Sequence, residues 1–220
     1  MQPKILDHVA FWVADREPIV QFLEQHLGMH RIAQEDNFTL MGSNARRGKL
    51  TLFDAEGPRE PGALDYVALR VSDLAAARAD LPDGTPELFD VGDGIRVKLV
   101  EAPTDVDYDL DHVALFSSEP EQTAEDYLRY GFEPAGDGRV EVGGAYLEFH
   151  PGSPGEPERP LLNHLAVLVD SADEVLADAG ELGIEVESVV DAANTHAAFL
   201  WGPERVRIEY VEHKPTFSLT

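Results

Sequence analysis

The sequence predicts an α+β protein built from four strand-helix-three-strand modules. A short phrase occurs four times, each copy holding Leu, then Asp or Asn, a ring-bearing residue and an apolar run. The third positions are His8, Tyr66, His112 and His164. Each phrase precedes a helix-like segment and then short apolar strands separated by polar turns. The copies are too irregularly spaced for a solenoid, and one module cannot bury its sheet face alone. We therefore expect the modules to pair into two half-barrels.

Hydrophobic periodicity and capping residues place the elements of the first module. Residues 5–13 are predicted to form a strand. His8, Ala10 and Trp12 lie on one face of this strand, and the alternate apolar residues lie on the other. Asp15 is expected to cap a helix that stops at Gly28. The remaining strands of this module are predicted at residues 29–32, 38–41 and 49–53.

The other modules repeat this order. The predicted strands are residues 67–71 and 96–101 in the second module, 110–116, 140–142 and 145–149 in the third, and 163–169, 184–190, 196–201 and 206–212 in the fourth. The predicted helices are residues 74–81, a helix between Ser118 and Gly131, and a helix capped by Ser171 and stopped by Gly183.

Two turn-rich links and one short connection divide the chain. Residues 56–62 and residues 151–160 are rich in Pro and Gly and are interpreted as linkers. Residues 103–108 are the expected boundary between the halves. The predicted domains are thus residues 1–105, with a degenerate metal site, and residues 106–220, with the metal site.

Composition excludes several classes of function. The formal charge of -25 over 220 residues argues against nucleic-acid binding, which needs a basic surface. The chain has no cysteine, so any metal must be held by His, Asp or Glu. No apolar run could span a bilayer and no secretory leader is evident, so we expect a cytoplasmic protein without a membrane partner. Assembly into a homo-oligomer stays open.

Inward-facing carboxylates single out the last two modules. Glu148 and Glu209 each lie between apolar residues of a closing strand, so they are expected to face the same side as His112 and His164. Buried carboxylates are costly unless paired or coordinated. These four residues therefore predict a site for one divalent metal ion, which could be Fe, Ni, Zn, Co or Mn.

The first two modules offer a poorer set of side chains. The matching positions are His8, Thr51, Tyr66 and Lys98. A lysine stands where an anionic ligand is needed, and only one imidazole remains. His8 is therefore interpreted as a wall or core residue, and the first half as a scaffold. Trp12 and Trp201 are interpreted as packing residues.

The Asp-His-Val-Ala openings, the Gly-ended helices and the closing phrase of residues 199–210 resemble the vicinal oxygen chelate superfamily. That superfamily includes glyoxalase I, extradiol ring-cleaving dioxygenases and bleomycin-type antibiotic resistance proteins. The resemblance covers the whole chain as four modules. It implies a metal-dependent enzyme that chelates a small substrate through two adjacent oxygens.

The resemblance leaves three activities open. The glyoxalase I pattern of His, Glu, His and Glu matches His112, Glu148, His164 and Glu209, which favours a lyase or isomerase with Glu209 or Glu148 as the catalytic base. The four-module layout favours an extradiol dioxygenase with Fe(II) held by His, His and Glu. Two positions depart from the dioxygenase pattern, because Phe199 replaces a tyrosine and Val190 a histidine. The third activity is non-catalytic binding of a small molecule. The expected substrate-binding residues are Tyr146, His150, His196 and Phe199.

Overall fold

Fifteen strands form two sheets in the computed structural model, which describes residues 1–219. The first module contains β1 (Ile5–Val13), α1 (Arg16–His26), β2 (His30–Gln34), β3 (Phe38–Gly42) and β4 (Lys49–Asp54). The second contains β5 (Leu64–Val71), α2 (Leu74–Ala79), β6 (Leu88–Asp90) and β7 (Arg96–Glu101). The third contains β8 (Asp109–Ser117), α3 (Pro120–Tyr127), β9 (Glu133–Gly136), β10 (Arg139–Val142) and β11 (Ala145–Pro151). The fourth contains β12 (Leu162–Val169), α4 (Ala172–Leu182), β13 (Val186–Asp191), β14 (Thr195–Trp201) and β15 (Arg207–His213). The predicted α+β fold of repeated modules is confirmed.

The modules do not pair in chain order, which corrects our expectation for the two half-barrels. The eight-stranded sheet has the order β13-β14-β15-β12-β1-β4-β3-β2 and so joins the fourth module to the first. The seven-stranded sheet has the order β6-β7-β5-β8-β11-β10-β9 and joins the second module to the third. A division of the chain at residue 105 therefore runs through both sheets.

The connections between modules explain this arrangement. The short link of residues 102–108 joins β7 to β8. It keeps the chain in one sheet, because β8 pairs antiparallel with β5. The two longer linkers carry the chain from one sheet to the other and back. They run side by side, with the Glu60 N–H donating to the Arg159 carbonyl at 2.9 Å and the Leu161 N–H donating to the Glu60 carbonyl at 2.7 Å.

The two sheets share one apolar core. On β1, Val9, Phe11 and Val13 face that core, which continues through residues of all four helices and of both sheets. The alternate residues His8 and Trp12 face a concavity on the other side of the sheet. Strand alternation therefore places the core-packing residues on one face of the sheet and the candidate functional residues on the other.

Capping residues fix the helix boundaries that the sequence predicted. The Asp15 carboxylate accepts from the Glu17 N–H at 3.1 Å, and the Ser171 hydroxyl accepts from the Glu174 N–H at 3.2 Å. Gly183 ends α4 in a left-handed conformation with a φ of 65°, and Gly131, with a φ of 86°, does the same for the short 3-10 helix Leu128–Tyr130 that follows α3. No helix among residues 1–219 is both long enough and apolar enough to cross a membrane.

The sequence did not predict two short strands, β6 and β9. The first is β6, which pairs antiparallel with β7 over three residues; even with it, the second module has three strands where each of the others has four. Similarly β9 pairs with β10, although all four of its residues are exposed. Strands this short and exposed carry no alternation that a sequence pattern could detect.

Gly143 provides a test of the contact between the third module and the start of β1. It has a φ of 57°, and a Cβ at this position would lie 1.9 Å from the Lys4 carbonyl oxygen. Gly143→Ala should lower the free energy of unfolding by about 2 kcal/mol more than Gly136→Ala, measured by urea denaturation. Gly136 is the matched control, because it has a φ of 74° and nothing within 4 Å of the added carbon. Equal losses in the two variants would contradict the close approach.

Candidate metal centre

Three side chains of the eight-stranded sheet converge on one point. His8 Nε2 lies 3.0 Å from His164 Nε2 and 3.1 Å from Glu209 Oε2. His164 Nε2 lies 3.0 Å from the same carboxylate oxygen. Within residues 1–219 these three form the one group of His, Asp or Glu side chains whose ligand atoms are close enough to share a metal ion.

Strand pairing produces this convergence. β1 and β12 run antiparallel at the middle of the sheet, with Ala10 opposite His164 and His8 opposite Ala166. The two imidazoles therefore lean towards each other on the concave face. β15 runs parallel to β12 with Glu209 opposite Ala166, which places its carboxylate beside both rings.

The shape of the triangle fits a six-coordinate metal ion. Two ligand atoms that lie about 2.1 Å from one ion and at right angles to each other are about 3.0 Å apart. The three observed separations are 3.0, 3.0 and 3.1 Å. The three atoms would therefore fit an ion with octahedral coordination, and such an ion would have room for further ligands.

Hydrogen bonds on the outer nitrogens hold both imidazoles with Nε2 pointing inward. His8 Nδ1 lies 2.8 Å from the Asp7 carboxylate, and His164 Nδ1 lies 2.9 Å from the Asn163 side-chain oxygen. Each Nδ1–H then donates outward, so that Nε2 keeps its lone pair for a metal. Asp7 is itself held by Lys49, whose Nζ lies 2.8 Å away. Arg207 donates to the Asn163 oxygen at 3.0 Å.

Without a metal, the centre holds a proton on His8. Burial opposes the charged imidazole, but hydrogen bonds and charge from Asp7 and Glu209 outweigh it and raise the pKa of His8 to about 9. Burial lowers the pKa of His164 despite its hydrogen bond to Glu209, and the charge of His8 adds to the decrease. Burial would raise the pKa of Glu209, but its two histidine partners hold that pKa far below the usual range. Metal binding must therefore displace one proton.

Thr51 occupies the fourth position of the centre. It lies opposite Ala10 on β4, as Glu209 lies opposite Ala166 on β15. Its hydroxyl is buried, lines the concavity, and has no hydrogen-bond partner among residues 1–219. The first module thus contributes a histidine but no carboxylate.

Aromatic side chains surround the centre in a cavity of about 670 Å³. Phe53 lies 6.1 Å from the His164 ring and Phe199 lies 5.3 Å from it. The cavity is also lined by Trp12, Phe38, His213 and Phe217. A flat apolar ring would find contacts on several sides.

Residues 214–219 close one side of this cavity. Ser218 donates from its backbone N–H to the Asn194 side chain at 3.3 Å, which ties the segment to the β13–β14 turn. Phe217 stacks on His213 with the ring centroids 4.1 Å apart. Phe217 and Leu219 also pack against a small cluster that includes Leu40 of β3. Because β13 and β2 are the two edges of the sheet, this segment bridges the opening between the two ends of the sheet.

The seven-stranded sheet repeats the register with different side chains. Tyr66, Lys98, His112 and Glu148 take the corresponding positions. His112 Nε2 lies 3.2 Å from the Tyr66 hydroxyl and 3.8 Å from Glu148. Glu148 accepts from Arg139 at 3.1 Å instead. Burial raises the pKa of Tyr66 to about 12, with the charges of Glu148 and Asp65 adding to it, so the phenol stays neutral.

The structure therefore divides the predicted ligand set between the two sheets. His164 and Glu209 lie in the metal centre, whereas His112 and Glu148 lie in the seven-stranded sheet. The expectation that His8 only fills the wall is corrected, because it supplies the second imidazole. The reason is the pairing of the fourth module with the first rather than with the third.

The predicted substrate-binding residues are divided in the same way. Phe199 lines the cavity of the metal centre. Tyr146 stacks on His112 at 4.5 Å, and His150 lies 2.8 Å from Asp65, so both belong to the seven-stranded sheet. His196 lies on the face of β14 away from the cavity, with Nδ1 3.9 Å from Glu212. Of these four, only Phe199 is close to the metal ligands.

Sequence reasoning missed Asp7, Asn163, His213 and Phe217. The first two carried a usable signal, since a side chain that can accept from Nδ1 directly precedes each histidine of the candidate centre. Phe217 and His213 carried none, because their role depends on the path of residues 214–219 across the sheet.

Residues 5–105 match the family model described as the Glyoxalase/Bleomycin resistance protein/Dioxygenase superfamily. This segment includes β1 to β7, that is, the first two modules. For residues 5–105 this match confirms the resemblance to the vicinal oxygen chelate superfamily that the sequence motifs indicated. No curated protein matches the sequence.

Solved structures extend the likeness to the whole chain. A proposed dioxygenase from Bacillus subtilis superposes with a TM-score of 0.80 at 17% identity, covering 98% of this chain and 87% of its own. Glyoxalase I from Zea mays gives 0.73 at 14% identity, covering 96% and 92%. The CppA protein from Streptococcus pneumoniae gives 0.64 at 13% identity, covering 95% and 98%. At these identities the likeness shows the fold.

The proton on His8 predicts how the stability of the metal-free protein depends on pH. The folded state keeps this proton up to a pKa of about 9, whereas an unfolded histidine releases it near 6.5. The stabilisation is complete below about pH 6.5 and is lost as the pH rises to about 9, by on the order of 3 kcal/mol. Urea denaturation in the presence of a chelator measures it.

His8→Gln should abolish most of this decrease in stability between neutral and alkaline pH. His30→Gln is the matched control, because His30 is an exposed histidine of β2. If His8→Gln and wild type lost stability in parallel over this range, the shared proton would be refuted.

Proposed function

We propose that the chain is a metal-dependent dioxygenase that cleaves an aromatic ring at a carbon–carbon bond beside two adjacent hydroxyl groups, with dioxygen as the oxidant and both of its atoms in the product. The observation that carries this proposal is the triangle of His8, His164 and Glu209 with Thr51 at the fourth position. Two histidines and one carboxylate would hold the ion with only three ligands, which would leave room for a substrate and an oxygen molecule together. The likeness in fold to a proposed dioxygenase supports the same choice.

The cavity supports an aromatic substrate. Phe53, Phe199 and Phe217 provide apolar faces around the metal ligands. The contact of Phe199 with the edge of the His164 ring leaves a wall against which a flat ring can stack. A substrate of this shape would fill the cavity more completely than a short aliphatic hydroxyketone.

Each side chain of the centre has a distinct task in the proposed reaction. His8, His164 and Glu209 hold the ion, while Asp7 and Asn163 keep the two imidazoles oriented. A divalent metal ion held there would supply a Lewis acid that binds both oxygens of a vicinal diol and, as iron(II), access to dioxygen.

The cavity wall also offers a group that can receive the substrate's proton. His213 lines the cavity, and its Nε2 lies 3.4 Å from Asp7 Oδ1. In the proposed reaction this imidazole accepts a proton from a substrate hydroxyl and Asp7 stabilises the cation formed. Phe217 covers His213 and excludes water from this transfer.

A glyoxalase-like lyase or isomerase is the second candidate. The likeness in fold to glyoxalase I from Zea mays supports it. In that reaction Glu209 would act as the base that removes a proton next to a carbonyl. The absence of a carboxylate at residue 51 weighs against it, because the four-ligand pattern would then be incomplete.

Oxygen consumption separates the two reactions. Protein loaded anaerobically with Fe(II) should consume oxygen when catechol is added, and His8→Ala should lower the rate by at least about a hundredfold through loss of the metal. Exchange of the proton next to a carbonyl, without oxygen uptake, would instead support the isomerase. If the metal-loaded protein catalyses neither reaction, the result would support a binding protein without catalytic activity.

Thr51→Glu gives a sharper comparison. A carboxylate at this position completes the four-ligand set, so the variant should keep its metal and lose most of its oxygen uptake. Thr51→Val is the matched control, because it removes the hydroxyl while keeping the volume and leaves the fourth position open. Unchanged oxygen uptake in Thr51→Glu would argue against substrate binding on that side.

A further inference from the structure

The concave face of the seven-stranded sheet carries a lysine where the other sheet carries a carboxylate. Lys98 holds the register position on β7 that Glu209 holds on β15. Next to it lie Tyr66 and His112, on the paired strands β5 and β8. The Lys98 Nζ atom lies 5.9 Å from the centre of the Tyr66 ring. The position of a candidate metal ligand in one sheet thus holds a cation of the chain itself in the other.

Lys98 is the surplus cation of this face. Within residues 1–219 the other three lysines of the chain each pair with an aspartate, whereas Lys98 forms no ion pair. The carboxylates around Tyr66 and His112 have other basic partners, since Asp65 pairs with Arg96, Asp111 with Arg70 and Glu148 with Arg139. In a chain with a formal charge of -25, a half-buried cation left without a carboxylate indicates a place for an external anion.

A hydrogen-bonded chain fixes an acceptor beside this cation. The Asp111 carboxylate accepts from His112 Nδ1–H at 2.7 Å, so the neutral imidazole accepts at Nε2. The Tyr66 hydroxyl lies 3.2 Å from that Nε2 and donates to it. The phenol stays neutral, because burial and the charge of Glu148 raise the pKa of Tyr66 to about 12. With its proton committed to His112, the Tyr66 oxygen presents lone pairs to a ligand.

A ligand can reach the cation and the phenol but not the imidazole. Lys98 and Tyr66 are both half-buried and keep part of their surface in contact with solvent. His112 is only 3% exposed, and the Tyr146 ring stacks on it with the ring centroids 4.5 Å apart. The imidazole therefore acts on a ligand through Tyr66, whose hydroxyl it orients.

We propose that this face binds a small 2-hydroxycarboxylate without a metal ion. The carboxylate pairs with the Lys98 ammonium, and the neighbouring hydroxyl donates to the Tyr66 oxygen. A simple carboxylate would use only half of the site, and a neutral diol would leave Lys98 unpaired. The site lies on a different sheet from the candidate metal centre, and it is independent of the proposed reaction.

Proton NMR of the histidine rings tests the proposal on the chelator-treated protein at pH 8. The chain has eight histidines, and each ring signal is assigned by its loss in the matching His→Asn variant. Titration with glycolate, a small 2-hydroxycarboxylate, should shift the His112 signal in a saturable manner, because Tyr66 connects the imidazole to the ligand. The His8 and His164 signals should stay in place. A saturable shift of His164 in place of His112 would put the ligand at the metal centre and overturn the assignment.

Lysine variants test the pairing with the carboxylate by calorimetry. Lys98→Met should weaken glycolate binding by about tenfold or more, as expected when a charge-assisted hydrogen bond is lost. Lys98→Arg keeps a cation at this position and should retain most of the affinity. Lys4→Met is the matched control, because Lys4 is exposed and pairs with Asp170. Equal affinities in Lys98→Met and Lys4→Met would refute the cation site.

Tyr66→Phe tests the recognition of the hydroxyl. Wild type should bind glycolate about fivefold more tightly than acetate, which lacks the hydroxyl, because one hydrogen bond is added. Tyr66→Phe should bind the two ligands alike while its affinity for acetate stays close to that of wild type. A preference for glycolate that survives in Tyr66→Phe would show that another group receives the hydroxyl and would contradict the proposed site.

Discussion

The antiparallel pairing of β1 with β12 is the constraint on which the candidate site depends. It sets two imidazoles on neighbouring strands with their Nε2 atoms 3.0 Å apart. A half-buried histidine, a buried histidine and a buried carboxylate this close together are unfavourable unless they share a proton or a metal ion. Asp7, Lys49, Asn163 and Arg207 hold the imidazoles in that arrangement from behind. The pairing of two modules that are distant in the chain therefore brings the residues of the candidate site together.

The two sheets share one backbone register, but only one of them brings together side chains that could hold a metal ion. In both sheets the first strands of two modules pair at the middle, and the closing strand places a residue opposite an alanine. In the eight-stranded sheet these positions hold two histidines and one carboxylate. In the seven-stranded sheet Tyr66 and Lys98 replace two of the ligands, and Arg139 neutralises Glu148. The shared apolar core is the same for both, so the difference lies only in the concave side chains.

The sequence predicted the modules, most of the strands and the helix caps, because repeats, alternation and capping residues are local signals. It also aligned the four closing positions correctly: Thr51, Lys98, Glu148 and Glu209 all lie opposite an alanine. It did not reveal which modules pair, since His8 and His112 stand in equivalent phrases and either could have joined His164. That choice is made by the paths of the linkers and by strand pairing between distant parts of the chain, and neither leaves a pattern in a single sequence.

The metal content of two matched variants tests the centre most directly. His8 and His112 occupy equivalent places in their modules, each with an aspartate on Nδ1. Wild type and His112→Ala, purified without chelator and supplied with Fe(II) or Zn(II), should each bind about one ion per chain, whereas His8→Ala should bind little. Loss of the metal in His112→Ala, with full retention in His8→Ala, would contradict the pairing of the first and fourth modules as the origin of the site.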